Sequence, residues 1–329
     1  MKNFTDARVV RLTTFGGPEV MELQEVQLPP PAAGEAQLRQ TVIGFNYIDV
    51  YQRSGKYPLP LPTGLGHEAV GVVEKLGDGP QDLVIGDRVV YMNAGVGAYA
   101  SHRNVDATKL VKLPSSVSDE DAAAVFFKAM TAQYLLRRTY RVEAGDIVLV
   151  HAAAGGVGQI LCRWARGLGA TVIGTAGSSE KCEIARSAGC EAAIDYSQPD
   201  WVDQVIASIG GRKARVVYDS VAKHTFMGSL DCAAPFGLVV LFGAASGPAP
   251  EIQPELLNKK GCLFLTRPSV FPHNADASVM RANAAEVFAA MDRGFVRASV
   301  AARLSLDEVS AVHRMAEARS TAGSIVMRP

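Results

Sequence analysis

The junction IVLV-HAAAGGVG, residues 147–158, is the feature that most narrows what this chain can fold into. Ile147, Val148, Leu149 and Val150 form a short β-branched apolar run, as in a strand buried on both faces. Five small residues, Ala152 to Gly156, follow His151, and a helical pattern begins at Val157. On the template G-x-G-x-x-G the loop reads Ala153-Ala154-Gly155-Gly156-Val157-Gly158, with alanine in the first place and the other two glycines present. Gly155 would let the backbone approach a pyrophosphate, whose charge rests on the amides that open the helix. Gly158 would let that helix close on its strand. An ordinary glycine-rich turn is the alternative. The loop stands at the head of an alternating series of strands and helices, which favours dinucleotide binding through Ala154, Gly155, Gly156 and Val157.

That series continues for some 130 residues. Strands are expected at Ile147 to His151, Thr171 to Thr175, Ala192 to Asp195, Arg215 to Tyr218, Gly237 to Phe242 and Cys262 to Thr266. Six such strands with helices between them predict a doubly wound parallel sheet, with its ligand at the carboxyl ends of the strands. Up to about residue 120 the rhythm differs: proline, glycine and short alternating runs (Gln37 to Val42, Ala69 to Glu74, Arg88 to Tyr91) suit a compact, mostly antiparallel β domain. AAAVFFKAMTAQYLLRRT then reads as a helix with Ser118 and Asp119 as candidate caps. A helix over about Asp276 to Gly294 and an ending that returns a strand to the first domain complete the expectation.

The second strand bears on which dinucleotide is bound. Sheets that bind NAD place an acidic residue on the ribose about 20 residues beyond the loop. Here the stretch is Thr175-Ala176-Gly177-Ser178-Ser179-Glu180-Lys181, with Ser178 where the carboxylate is expected and Lys181 one helical turn later. A hydroxyl and a cation in place of an anion suit a 2′-phosphate and hence NADPH, with Gly177, Ser178 and Lys181 as contacts. The alternative is that Ser178 caps the helix and Lys181 lies on a solvated face. Glu180 is a competing carboxylate, expected to point elsewhere.

Charge and cysteine content exclude several other classes. Lysine plus arginine equals aspartate plus glutamate, 33 of each, and no basic stripe is interleaved with aromatics, which counts against nucleic acid. The five cysteines form no C-x-x-C and sit mostly in apolar company, as in a reducing cytoplasm. No window of about 20 residues is apolar enough to span a bilayer, and the N-terminus has no secretory h-region. A cytoplasmic protein is expected.

GHEAVGVVEKLG (66–77), GDRVVY (86–91), AAAGGVG (152–158) and GSSEKCEIARSAGCEAAIDY (177–196) together resemble the medium-chain dehydrogenase/reductase superfamily. Within it, NYIDVYQRSGKYP (46–58), FGAASG (242–247), TRPS (266–269) and ARSTAGS (318–324) are similar to the zinc-free NADPH:quinone oxidoreductases of the zeta-crystallin type. The resemblance runs end to end. It implies a GroES-like substrate domain over 1–124, an inserted Rossmann domain over 125–267, and a return segment over 268–329. It also implies an active site in the cleft and a homodimer. Tyr196 and Arg319 correspond to family positions near the 2′-phosphate. Phe242, Gly243 and Ser246 lie where the backbone approaches the nicotinamide half, although Ala244 replaces a polar residue of the family's loop. Arg267 is either a cleft-lining cation or an ordinary exposed arginine.

Many relatives carry catalytic zinc on a cysteine aligned with Asn46, a histidine aligned with His67 and a cysteine aligned with Phe127. One imidazole without thiolates cannot make a closed tetrahedral site, and the cysteine-rich lobe for structural zinc is missing, so no metal is expected. Charge on a substrate oxygen must then be stabilised by hydrogen bonds alone, which suits a quinone or an enone, where conjugation spreads that charge. The resemblance implies Asn46, Tyr51 and Tyr57, with Thr131, as catalytic donors; each could instead be a packed or capping residue. Three functions remain open: NADPH-dependent quinone reduction, reduction of an enone or alkenal double bond, and a crystallin-like or RNA-binding role. The sixth strand, Cys262 to Thr266, is expected at the sheet edge, where a two-fold dimer would cover it.

Overall fold

The computed structural model describes residues 4–79, 82–318 and 323–329. Strands β1 (Thr5–Leu12), β2 (Met21–Leu28), β3 (Glu35–Gly44), β4 (Thr63–Gly64), β5 (Glu68–Leu76), β6 (Arg88–Tyr91), β7 (His102–Asp106) and β8 (Leu110–Lys112) come first, with helix α1 (Tyr47–Arg53) between β3 and β4. Helix α2 (Asp119–Tyr134) precedes β9 (Ile147–Val150), α3 (Gly156–Gly167), β10 (Thr171–Ala176), α4 (Ser179–Ser187), β11 (Ala192–Asp195), α5 (Trp201–Ser208) and β12 (Ala214–Asp219). Next come α6 (Phe226–Cys232), β13 (Ala233–Leu241), α7 (Glu255–Lys259), β14 (Phe264–Thr266) and α8 (Val270–His273). Helix α9 (Ala277–Asp292), β15 (Val300–Ser305), α10 (Val309–Glu317) and β16 (Ser324–Arg328) complete the chain. Two compact units result: Met1–Phe127 with Asn274–Phe288 and Arg297–Pro329, and Lys128–His273 with Ala289–Val296.

In the first unit β3 is the organising strand. The larger sheet runs β15-β16-β3-β5-β6-β8, β7 also pairs with β3, and a small sheet runs β2-β1-β4. The chain's last strand, β16, pairs antiparallel with β3 through Met327 and Ile43, so the C-terminal segment returns beside the strand that leads into α1. Leu38, Ile43, Val73, Tyr91, Tyr99, Leu306 and Met327 share one core.

The second unit holds six parallel strands in the order β11-β10-β9-β12-β13-β14. All four residues of β9 are buried, as the apolar run requires for a strand covered on both faces. The order reverses direction beside β9, the position at which doubly wound sheets bind ligands. No helix among the described residues is long and apolar enough to cross a membrane.

Most boundaries differ from the sequence reading by a residue or two, and three of the differences have a local reason. Strand β13 starts at Ala233 rather than Gly237, through Pro235 and Phe236, whose φ of 59° and accompanying register shift imitate a loop in sequence. Cys262, at φ 54°, lies outside β14, which begins two residues later. Helix α2 is capped by Ser118, whose Oγ accepts from Asp121 N at 3.0 Å, and Leu135–Thr139 continues it as a π-helical turn. Asp119 accepts from Arg88 Nε at 2.9 Å.

Candidate functional site

The glycine loop is built by removing side chains. After β9, His151 N donates to Tyr218 O, Ala152 turns the chain with φ 50°, and Ala153 N donates to Thr175 O. Helix α3 opens at Gly156, with Gly155 extended at its N-cap and, being glycine, making no side-chain cap. Gly155 and Gly156 are exposed, and Ala154 and Val157 are half-buried. A Cβ on Gly158 would overlap the Ala152 carbonyl oxygen and lie 2.8 Å from Ala153 Cα, so only glycine lets α3 close on β9. On Gly156 a Cβ would meet Lys128 Cδ at 3.0 Å. An uncapped helix start flanked by exposed glycines fits a pyrophosphate.

At the end of β10, Ser178 caps α4, its Oγ accepting from Lys181 N at 3.4 Å. Glu180 does not turn away from this group. Its own backbone N–H, then the Ser178 hydroxyl, hold its carboxyl below the usual range. Lys181 is exposed and Tyr196 half-buried, and a Cβ on Gly177 would lie 3.0 Å from Tyr196 Oη, which places that phenol beside the turn. Arg319 lies outside the described residues.

At the end of β13, Phe242 N donates to Asp219 O at 2.9 Å. Ser246 Oγ donates to Val221 O at 2.7 Å and accepts from His224 N at 3.1 Å, so this hydroxyl ties two loops together. Arg267 Nη1 donates to Leu241 O at 2.9 Å and Gly243 O at 3.3 Å, bracing the same strand end. A buried cluster beneath these loops was not visible in the sequence. The Asp219 carboxylate accepts from Val221 N, Ala222 N, Thr225 Oγ1 and Ser229 Oγ, and His151 bridges Ser229 Oγ at 3.0 Å and Thr175 Oγ1 at 2.7 Å. Every member is fully buried, so the cluster clamps β9, β10, β12 and α6 together and meets no substrate. Burial lowers the His151 pKa against the opposing Asp219 charge.

In the first unit, α1 and its following turn gather Asn46, Tyr51 and Tyr57. Asn46, only 5% exposed, caps α1, its N–H donating to Asp49 Oδ2 at 3.0 Å and its Nδ2 to Glu68 Oε1 at 2.8 Å. Glu68 also accepts from Phe127 N at 2.7 Å. A Cβ on Gly44 would stand 2.5 Å from Glu68 Oε1, so glycine there admits the carboxylate to Asn46. Behind Asp49 runs a buried chain: Tyr99 Oη donates to Asp49 Oδ2 at 2.8 Å and lies 3.3 Å from His313 Nε2, whose Nδ1 is 3.3 Å from Arg53 Nη1. Arg53 pairs with Glu317 at 2.5 Å.

The Tyr51 ring has edge contacts with Tyr47 at 5.1 Å and Tyr57 at 5.2 Å between centroids. Tyr47 and Tyr57 are exposed. Thr131 belongs to the second unit, buried on α2. Sequence reasoning gave Glu68 no more than a structural role and passed over Tyr47. The spacing of Tyr47 and Tyr51, four apart on one helix face, was the available signal for the latter.

At the three zinc-ligand positions the donors do not fit that metal. Asn46 is engaged by Glu68, His67 Nε2 faces Gln52 Oε1 at 3.0 Å, and Phe127 presents a ring 6.0 Å from the imidazole. Burial, then the Arg103 charge, lowers the His67 pKa to about 4. Among the described residues no group of three or more His, Cys, Asp or Glu could hold a metal ion.

Comparison with known proteins gives two family matches, "Alcohol dehydrogenase GroES-like domain" over residues 32–115 and "Zinc-binding dehydrogenase" over residues 156–276. A quinone oxidoreductase of Pseudomonas aeruginosa is 43% identical over 98% of this chain and 100% of its own. A 2-haloacrylate reductase of Burkholderia is 42% identical over 95% of this chain and 96% of its own. The crystal structure of Escherichia coli quinone oxidoreductase complexed with NADPH superposes with a TM-score of 0.94 at 42% identity, covering 98% of this chain and 100% of that one. The sheet order, the glycine loop and this end-to-end identity agree: the chain belongs to the quinone oxidoreductases of the medium-chain dehydrogenase/reductase superfamily.

Proposed function

We propose that the protein reduces quinones with NADPH, by hydride or electron transfer and without a metal. The observation that carries this reading is the uncapped start of α3 at the switch point of the parallel sheet, with Ser178 and Lys181 replacing an acidic ribose ligand. NADPH, when bound, supplies the reducing equivalents. Ala154, Gly155, Gly156 and Val157 hold its pyrophosphate by backbone; Gly177, Ser178, Lys181 and Tyr196, with Arg319, hold the 2′-phosphate. Phe242, Gly243 and Ser246 border the nicotinamide.

The acceptor oxygen gains charge during reduction, and Asn46, Tyr51, Tyr57 and Thr131 are the neutral donors for it. Asn46 is suited to this because Glu68 fixes its amide, and among the described residues its second Nδ2 hydrogen meets no acceptor. Completing a hydroquinone takes a proton, for which a tyrosine hydroxyl in contact with solvent is a path.

Following NADPH oxidation with a quinone, with an enone and with no acceptor tests the reading. Rapid turnover of the quinone, undiminished by chelator, is expected. Turnover of the enone alone would make the protein a double-bond reductase, and no turnover with any acceptor would return it to a binding role.

Residues 1–124 with 268–329 serve in this reading as substrate domain and 125–267 as cofactor domain, and the cytoplasm is the compartment that suits five thiols. Strand β14 ends the parallel sheet, and Phe264 on it and Phe236 on β13 are each 62% exposed. A second copy pairing along β14 would cover both. Light scattering is expected to report a dimer that Phe264→Glu splits. A monomeric parent protein would remove this part of the proposal.

A further inference from the structure

One cation in the acceptor segment is used neither by the fold nor by the proposed reduction. After α1, Gly55 reverses the chain at φ 78°, and Tyr57 N donates to Tyr51 O at 3.0 Å, folding the turn back on the helix. Lys56 is thereby laid over the Tyr51 ring, its Nζ 5.2 Å from the centroid. The same ring is flanked edge-on by Tyr47 and Tyr57. Lys56 is exposed, and among the described residues no carboxylate pairs with it. Arg53, one turn earlier, is buried and committed to Glu317. Tyr51 is half-buried and Lys56 exposed, so the cation lies over the ring at the solvent boundary, where such a contact is weak and an anion arriving beside the ring pairs with it at little cost.

We propose that Tyr47, Tyr51, Tyr57 and Lys56 form a specificity patch for planar quinones that carry an anionic substituent. The tyrosines contact the ring, as they would in any quinone, and Lys56 pairs with a carboxylate, sulfonate or ionised hydroxyl at its edge. The assignment rests on the quinone reading. It names a narrower substrate class, and it makes Tyr47 and Lys56 contacts beyond those the family resemblance supplies. Because the pair is exposed, the selectivity is modest and falls with salt.

The test compares menadione with the naphthoquinone in which a sulfonate replaces its methyl group. The two differ in redox potential, so the informative quantity is the change in their kcat/KM ratio between proteins. Lys56→Gln is expected to lower the sulfonate-to-menadione ratio about two- to fivefold, the size of an exposed ion pair. Lys56→Arg should retain the ratio, and Lys213→Gln, at an exposed lysine outside the patch, should not move it. In the parent protein the ratio should fall toward that of Lys56→Gln as ionic strength rises from about 0.01 M to about 1 M, where the screening length shrinks to roughly 3 Å. An unchanged ratio in Lys56→Gln, with menadione still reduced, overturns the patch and leaves the quinone reading standing. Should neither quinone be reduced, the quinone reading falls, and calorimetric binding decides the patch. Weaker sulfonate binding by Lys56→Gln would uphold it, and equal binding would end it.

Discussion

The loop at 152–158 and the stretch at 46–57 are built by opposite means. Around the loop, Gly155, Gly156 and Gly158 clear space about the backbone, and the N-cap of α3 is a glycine that makes no side-chain cap. Around α1, side chains are the instrument: Glu68 and Asp49 fix Asn46, and Tyr99, His313, Arg53 and Glu317 back Asp49 from behind. A cradle made of backbone fails when an atom is added. A site made of side chains fails when one is taken away.

The largest effect is expected from adding a methyl group at the third glycine. Gly158→Ala drives a Cβ into the backbone of Ala152 and Ala153, which cannot yield as a flexible side chain can, at a cost of about 3 kcal/mol. Thermal melting should fall accordingly, and NADPH binding should go with the displaced helix. Gly155→Ala is the matched control, because its nearest contact is the Ala152 oxygen at 3.1 Å. Its stability should change by less than about 0.5 kcal/mol while NADPH affinity still drops. Equal destabilisation by both variants would break the distinction between a glycine that packs and one that admits a ligand.

Within the same unit, the 2′-phosphate contacts proposed above rely on side chains and so obey the opposite rule. Lys181→Ala removes one charged hydrogen bond, about 1.5–3 kcal/mol, or roughly ten- to a hundredfold in the KM for NADPH. NADH, which lacks the phosphate, should be nearly unaffected. Equal weakening of both cofactors would assign Lys181 to the fold or the adenine pocket, and a parent preference for NADH would overturn the cofactor assignment.

In the first unit, Asn46→Ala takes one partner from the buried Glu68 carboxylate and, on the proposed reading, one donor from the acceptor site. A loss of about 1–2 kcal/mol in quinone kcat/KM is expected, with the Kd for NADPH unchanged. Fluorescence titration of NADPH beside steady-state kinetics separates the two. A parallel loss of cofactor affinity would show that Asn46 acts through the fold.

This contrast also explains what could be read without coordinates. The absence of side chains is visible in a sequence: HAAAGGVG after IVLV marked the cradle, and the alternating runs after it marked the parallel sheet. Ser178 and Lys181 could be placed by counting from the loop. Glu68 could not be placed beside Asn46, because 22 residues and a change of strand separate them, and only the approach allowed by Gly44 brings them together. The His151, Asp219 and Ser229 cluster likewise draws on three distant segments. At β13, Pro235 and a left-handed Phe236 gave a strand the local chemistry of a turn.

The last effect is confined to acid, and it probes the buried chain behind α1. Burial, then the neighbouring Arg53, lowers the His313 pKa to about 3, and His67 is lowered to about 4. Both imidazoles are therefore neutral in the folded unit, whereas in the unfolded chain each takes a proton near its ordinary pKa of about 6.5. Below that pH the unfolded state binds more protons than the folded one. Stability is thus full above about pH 6.5 and declines as pH falls toward 4 and 3, by about 1.4 kcal/mol per pH unit for each histidine. His313→Gln removes one of these contributions. Whatever it does to stability at neutral pH, the slope of stability against pH near pH 5 should be shallower by about that amount. The imidazole resonances of His67 and His313 should also fail to titrate in the folded protein between about pH 5 and 8. Ordinary titration of His313 near 6.5 would mean that Arg53 and Tyr99 do not enclose it, and the chain that holds Asp49 against Asn46 would lose its middle link.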